Sequence, residues 1–318
     1  MKKTTKVWLI IAVFLVLIGC VLFAAVMSAL KWDFTKLSTV QYETNTYEIS
    51  EAFDSISVNT QTADIVLALS DNGKCTVECL EEENAKHFVA VEEGILNIKS
   101  VYERAGYFGL DFGSPGITVY LPETQYNSLF INGSTGDIEI PKAFCFNNAD
   151  ISLSTGDVDF DASVLETIKI KTGTGDISAE NTSAGAVELS VSTGRVTVSS
   201  LSCEGDITVG VTTGDADLND IRCKSVISSG GTGDISLNNV IASERFSIKR
   251  STGDVRFESS DAAEIFIETG TGYVMGTLLT DKVFVIQTDT GDVNVPQSTN
   301  GGICKVTTGT GDIKLNIQ

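Results

Sequence analysis

From residue 127 onward, apolar and polar residues alternate in short bursts that break at a Thr-Gly pair and resume beyond it. With the glycine of each pair set as zero, the pairs fall at Gly136, Gly156, Gly175, Gly194, Gly214, Gly233, Gly253, Gly272, Gly291 and Gly311, always 19 or 20 residues apart. Two residues after the glycine stand Ile138, Val158, Ile177, Val196, Ala216, Ile235, Val255, Val274, Val293 and Ile313, all apolar. Five before it stand Ile131, Ile151, Ile170, Leu189, Val209, Ser228, Ile248, Ile267, Ile286 and Val306, with Ser228 the one exception. Apolar residues also dominate at minus seven and plus four. A period of two on both sides of the glycine predicts a strand, a corner, a second strand and a looser return of about eight residues.

A unit this short cannot enclose a core alone and must stack on its neighbours. The expected fold is all-β: a parallel β-solenoid (β-helix) over residues 127–318. Ten rungs at the inter-strand spacing make a rod of about 45–50 Å. A five-bladed propeller is the alternative, but it would have to pair two units into each blade of about 40 residues. Glycine permits backbone angles that a side chain forbids, and threonine suits a strand end where its hydroxyl bonds to backbone or to the next rung. Thr-Gly therefore reads as a corner.

Residues 45–126 carry a weaker version of the pattern. "FDSISVNTQTADIVLAL" is a diverged rung with Ala63 at the glycine position, and "KCTVECL" and "GILNIKS" are further strands, so this part is expected to begin the solenoid and cap it. Tyr102, Tyr107, Phe108, Leu110 and Phe112 form an aromatic excursion, read as a hydrophobic cap or, if exposed, a contact for a partner or membrane. At the other end the sequence stops at Gln318, seven residues after Gly311, with Lys314 the nearby charge. An uncovered final rung is expected there, and with it end-to-end self-association.

The N-terminus differs in kind. Residues 7–30, "VWLIIAVFLVLIGCVLFAAVMSAL", hold 24 uncharged residues, enough for a transmembrane helix. Lys2, Lys3 and Lys6 favour a cytoplasmic N-terminus (1–6), with 31–44 a juxtamembrane linker and the β region outside the cytoplasm, a single-pass cell-membrane protein. A cleaved signal sequence is one alternative; "LIGC" with a lipidated Cys20 is another.

Charge narrows the partners. Against 22 basic residues stand 42 acidic ones, a formal charge of −20 that repels nucleic acid and leaves cations, basic proteins or neutral glycans. Seven cysteines are too few for a disulfide-built scaffold. Cys75 and Cys79 share a strand face about 13 Å apart, beyond disulfide reach, as core residues or partners of something else. Cys145, Cys203 and Cys223 fall nine residues after their glycines; Cys203 and Cys223 stack closely enough for a disulfide or sit as small buried residues.

The residue after the glycine is Asp137, Asp157, Asp176, Asp215, Asp234, Asp254, Asp292 and Asp312, interrupted by Arg195 and Tyr273. Stacked, these form a carboxylate ladder. One reading is a turn cap; the other is a site that recruits Ca²⁺ or another hard cation. No other cofactor is implied. His87 is the single histidine, which excludes histidine-rich metal sites, and Arg195 beside Asp176 and Asp215 is the one echo of polysaccharide-cleaving β-helices, so no enzyme is expected.

The N-terminal anchor, "YEISEAFDSISVNTQTADIVL", "ITVYLPE" and the run ending in "GGICKVTTGTGDIKL" together resemble a bacterial "putative adhesin" family, a domain of unknown function on membrane-anchored envelope proteins. The resemblance covers most of residues 45–318 and implies a β-repeat fold with no catalytic residues to transfer. The function expected is a non-enzymatic, adhesin-like binding module at the cell envelope, with a cell-wall polymer or envelope proteins as partners. The alternative is an accessory of envelope-stress sensing that works through the transmembrane helix or the cap.

Overall fold

The computed structural model describes residues 3–33, 42–82, 85–101 and 115–318. The aromatic excursion at 102–112 lies outside the described residues. Helix α1 (Lys3–Ala29) contains the span Thr5–Ala29, 25 residues whose most apolar 18-residue window has a mean hydropathy of 3.3, long and apolar enough to cross a membrane. An anchor and a signal sequence both satisfy that description.

The rest of the described chain is a β-solenoid, its 26 strands joined in one hydrogen-bonded sheet. The period-two alternation is what sets it: in Val158–Phe160 the two apolar residues are buried and Asp159 between them is exposed. Successive repeats pair parallel and in register, so Ile131, Ile151, Ile170, Leu189, Val209, Ser228, Ile248 and Ile267 form one inward column. Burying each Ile, Leu or Val of such a column contributes about 1.5–3 kcal/mol before the entropy of ordering is counted.

The return is tighter than the sequence suggests. Strands Ala216–Thr232 and Ile235–Thr252 run through it without a break. A second corner lies six residues after the glycine, where Asn181, Ser200, Asp220, Asn239 and Ser259 adopt positive φ of 47–55°. Asn, Asp and Ser tolerate that conformation because a short polar side chain can bond locally.

The ends depart from sequence order. Strand Asp261–Thr271 pairs with Gly302–Thr310, and Gly302–Thr310 in turn pairs with Lys282–Thr290. The last repeat is therefore inserted between the two before it. Thr308 Oγ1 donates to the Gly272 carbonyl and Thr288 Oγ1 to that of Gly311, each at 3.2–3.3 Å, which fixes the same order. The expectation of an uncovered final rung is corrected: Ile313–Ile317 has partners on both sides, and the outermost strands are Lys282–Thr290 and Val293–Asn294. A buried Lys282–Asp261 ion pair of 2.6 Å ties that end down.

The opposite end repeats the device. In chain order its strands are β1 (Tyr42–Ile49), β2 (Ser55–Thr62), β3 (Asp64–Leu69), β4 (Cys75–Glu82), β5 (His87–Glu92), β6 (Ile95–Ser100), β7 (Gly116–Leu121), β8 (Gln125–Thr135) and β9 (Ile138–Ile140). The β2–β3 rung lies between β6–β7 and β8–β9, all parallel. Strands β5 on β6, β4 on β7 and β1 on β4 are antiparallel and finish the rod. Ala63 does occupy a corner: its amide donates to the Thr135 carbonyl at 3.0 Å.

Candidate functional site: the threonine–glycine–aspartate stripe

All ten repeat glycines, Gly136 to Gly311, have φ between 129 and 159°. A Cβ added to any of them would lie 1.9–2.2 Å from the carbonyl oxygen of the corner residue in the adjacent rung. Glycine is needed twice over, for the angle and for the close approach.

The preceding threonines align in register from Thr62 through Thr135, Thr155, Thr174, Thr193, Thr213, Thr232, Thr252, Thr271 and Thr310 to Thr290. Every one is exposed. At the inter-strand spacing they form a straight stripe of hydroxyls about 48 Å long.

The aspartates run beside it. Each Oδ1 accepts the backbone N–H of the equivalent residue in the next rung: Asp64 from Asp137, Asp137 from Asp157, Asp157 from Asp176 and Asp176 from Arg195, at 2.7–2.9 Å. The series resumes with Asp215 from Asp234, Asp234 from Asp254, Asp254 from Tyr273 and Asp312 from Asp292, at 2.8–3.0 Å. Each carboxylate caps a corner amide that the sheet ladder leaves over. Arg195 and Tyr273 still donate their backbone N–H to the neighbouring rung's aspartate but supply no carboxylate to accept the next one.

Two arginines brace the ladder. Arg195 Nη2 reaches Asp215 Oδ2 at 3.2 Å and its Nε reaches Asp217 at 3.6 Å. Arg256 spans Asp234 and Asp254, 2.6 Å from each. Burial pushes the Asp234 carboxyl up, but the Asp254 amide and the Arg256 guanidinium outweigh it and hold that carboxyl below its ordinary range. What the stripe offers to solvent is a row of threonine hydroxyls with carboxylates alongside.

The exception at Ser228 has a physical cause. Arg250, in register with Gly230, points into the rod and is 2% exposed. Its Nη2 donates to Ser228 Oγ at 3.1 Å, and its Nη1 lies 1.6 Å from where a Gly230 Cβ would stand. The small residues at 228 and 230 are the room the guanidinium needs. Nothing in the apolar columns alone signals this; a charged residue at an inward position facing Ser and Gly was the available sign. Cys203 and Cys223 stack in adjacent rungs as free, buried thiols, and Cys75 and Cys79 are likewise free and buried.

Comparison with curated proteins finds no match. Among solved structures, the chain is similar to a "putative adhesin" from Bacteroides fragilis, with a TM-score of 0.43 at 15% identity, covering 87% of this chain and 97% of the other. A "putative adhesin" from Parabacteroides distasonis gives 0.42 at 13%, covering 85% and 98%; one from Parabacteroides merdae gives 0.36 at 11%, covering 87% and 96%. The assignment rests on the sequence match to the Toastrack DUF4097 family over residues 53–220 and 204–318, and the chain belongs to that family.

Proposed function

We propose that this protein is a non-enzymatic, membrane-tethered rod that binds a repetitive polymer at the outer face of the cell membrane. The observation that carries this reading is the threonine stripe: eleven exposed hydroxyls in strict register, with carboxylates alongside. A ligand with its own regular spacing can meet many such groups at once, and many weak contacts on one rigid frame add to a useful affinity. A glycan of the cell wall is the chemical class that fits, because its hydroxyls and amides pair with threonine hydroxyls and its cationic groups with aspartate. The acidic surface disfavours nucleic acid and anionic lipid. Helix α1 holds the rod at the membrane, with Lys3 and Lys6 on the cytoplasmic side.

The test is co-sedimentation of the full chain, in detergent, with isolated cell-wall sacculi, with Ca²⁺ and with chelator. Saturable binding is expected, reduced at least tenfold when Thr193, Thr213 and Thr232 are changed together to Val, a shape-conserving change that keeps strand propensity. Loss of binding in chelator would assign Asp137, Asp157 and the rest of the ladder to Ca²⁺. No binding under either condition overturns the reading and favours protein partners in the membrane reached through residues 7–30.

A further inference from the structure

Glu81 breaks the pattern of its strand. The inward side chains of β4 are Cys75, Val77, Cys79 and Glu81, and this last carboxylate has 0% exposure. A charge so placed requires full pairing, and Glu81 has it. Asn45 Nδ2 donates to Oε1 at 2.7 Å and the Tyr47 hydroxyl at 3.4 Å; the His87 backbone N–H donates to Oε2 at 2.6 Å, with His87 Nδ1 2.7 Å away. The other imidazole nitrogen, Nε2, lies 3.3 Å from Thr60 Oγ1. Cys79 completes the group: its sulfur, a Glu81 oxygen and a His87 nitrogen all lie within 4.8 Å of one another, and all three residues are buried.

The donor set of one thiol, one carboxylate and one imidazole is the kind that selects Zn²⁺. Zinc–ligand bonds of about 2.0–2.3 Å in a tetrahedron set ligand atoms about 3.3–3.8 Å apart, a spacing comparable to that of these three atoms, which lie within 4.8 Å of one another. A thiolate and a carboxylate also cancel the charge of a divalent cation, leaving the buried set neutral, which is the condition for keeping ions out of water. Surrounding groups already orient the ligands: Asn45 and Tyr47 hold the carboxylate, and Thr60 addresses the far side of the imidazole. The backbone brings them together because Cys79 and Glu81 share a face of β4 and His87 opens β5, just past a reversal closed by the Glu82–Ala85 bridge.

We propose that Cys79, Glu81 and His87 form a Zn²⁺ site that staples β4 to β5 at the N-terminal end of the rod, with water as the fourth ligand. His87 binds through Nδ1, which gives up the proton it shares with Glu81 Oε2 in the metal-free protein; the ring is left with its one proton on Nε2, donating to Thr60 Oγ1, and the Cys79 thiol proton is released to solvent as the zinc–sulfur bond forms. This site is independent of the polymer-binding reading.

Cobalt reports the site directly, since Co²⁺ accepts the same donors and absorbs when bound to thiolate. Full-length protein in detergent, stripped with chelator and titrated with Co²⁺, should develop thiolate-to-cobalt and tetrahedral d–d absorption that saturates at one equivalent and is displaced by Zn²⁺. The bands should vanish in Cys79→Ser and His87→Gln. Absence of the bands in the wild-type chain, or their survival in Cys79→Ser, overturns the proposal. Because Cys79→Ser could fail to fold, X-ray absorption of the Zn²⁺-loaded wild-type protein gives a second check. One sulfur among nitrogen and oxygen neighbours is expected, and any other sulfur count overturns it.

Discussion

Arg250 shows how far a single residue can depart from the rule of its column. Most repeats place Leu, Val, Gly or Thr at this inward position, three residues before the corner. Arg250 instead buries a guanidinium whose Nε and Nη1 have no hydrogen-bond partner among the described residues. Burial lowers its affinity for the proton, while Asp215 and Asp234 act in the opposite sense through the wall of the rod. Replacing a poorly paired buried charge by an apolar chain of similar length is stabilising in such cases. Arg250→Met is expected to raise the melting temperature, by about 1–3 kcal/mol of stability, as read by calorimetry. A lower melting temperature would mean that the guanidinium holds the rungs together. The apolar columns were legible because each is repeated ten times; Arg250 and Glu81 were not, because each is a single exception whose meaning lies in residues far away in sequence.

The corner divides its work among three residues, and each contribution can be separated. Glycine meets a steric need, threonine faces solvent, and aspartate caps the amide of the next rung. Asp157 accepts from Asp176 N at 2.7 Å. Asp157→Ala should cost about 1 kcal/mol, the value of a lost cap, while Asp157→Asn retains an acceptor oxygen and should cost less than half of that in chemical denaturation. Equal losses would show that charge rather than hydrogen bonding is what the position supplies. This element was readable from spacing alone: period two, a break, period two. The second corner was not, since Asn181, Ser200, Asp220, Asn239 and Ser259 share a backbone conformation rather than a residue type.

For the whole molecule, the two ends matter more than the repeats between them. Among the described residues the edge strand Lys282–Thr290 is paired on one side only, and Val285 on it is half exposed. Unpaired strand edges invite pairing with another chain, so concentration-dependent association of the full chain in detergent is expected by light scattering. Val285→Lys should shift it toward the monomer by placing a charge on the edge. Association unchanged by Val285→Lys would locate the contact elsewhere. Sequence order could not have indicated this edge, because the repeats are nearly interchangeable and the register that stacks one stacks any.

That interchangeability bears on how the rod is assembled. A chain delivered from its N-terminus makes residues 282–294 available before 302–317, and the open side of Asp261–Thr271 offers them matching columns at once. The native arrangement reserves that place for the later segment. Completion of the rod is thus a problem of sorting two similar guests for one seat. In the finished rod the Lys282–Asp261 pair and the pairing of Ile313–Ile317 on both sides are contacts of the native order.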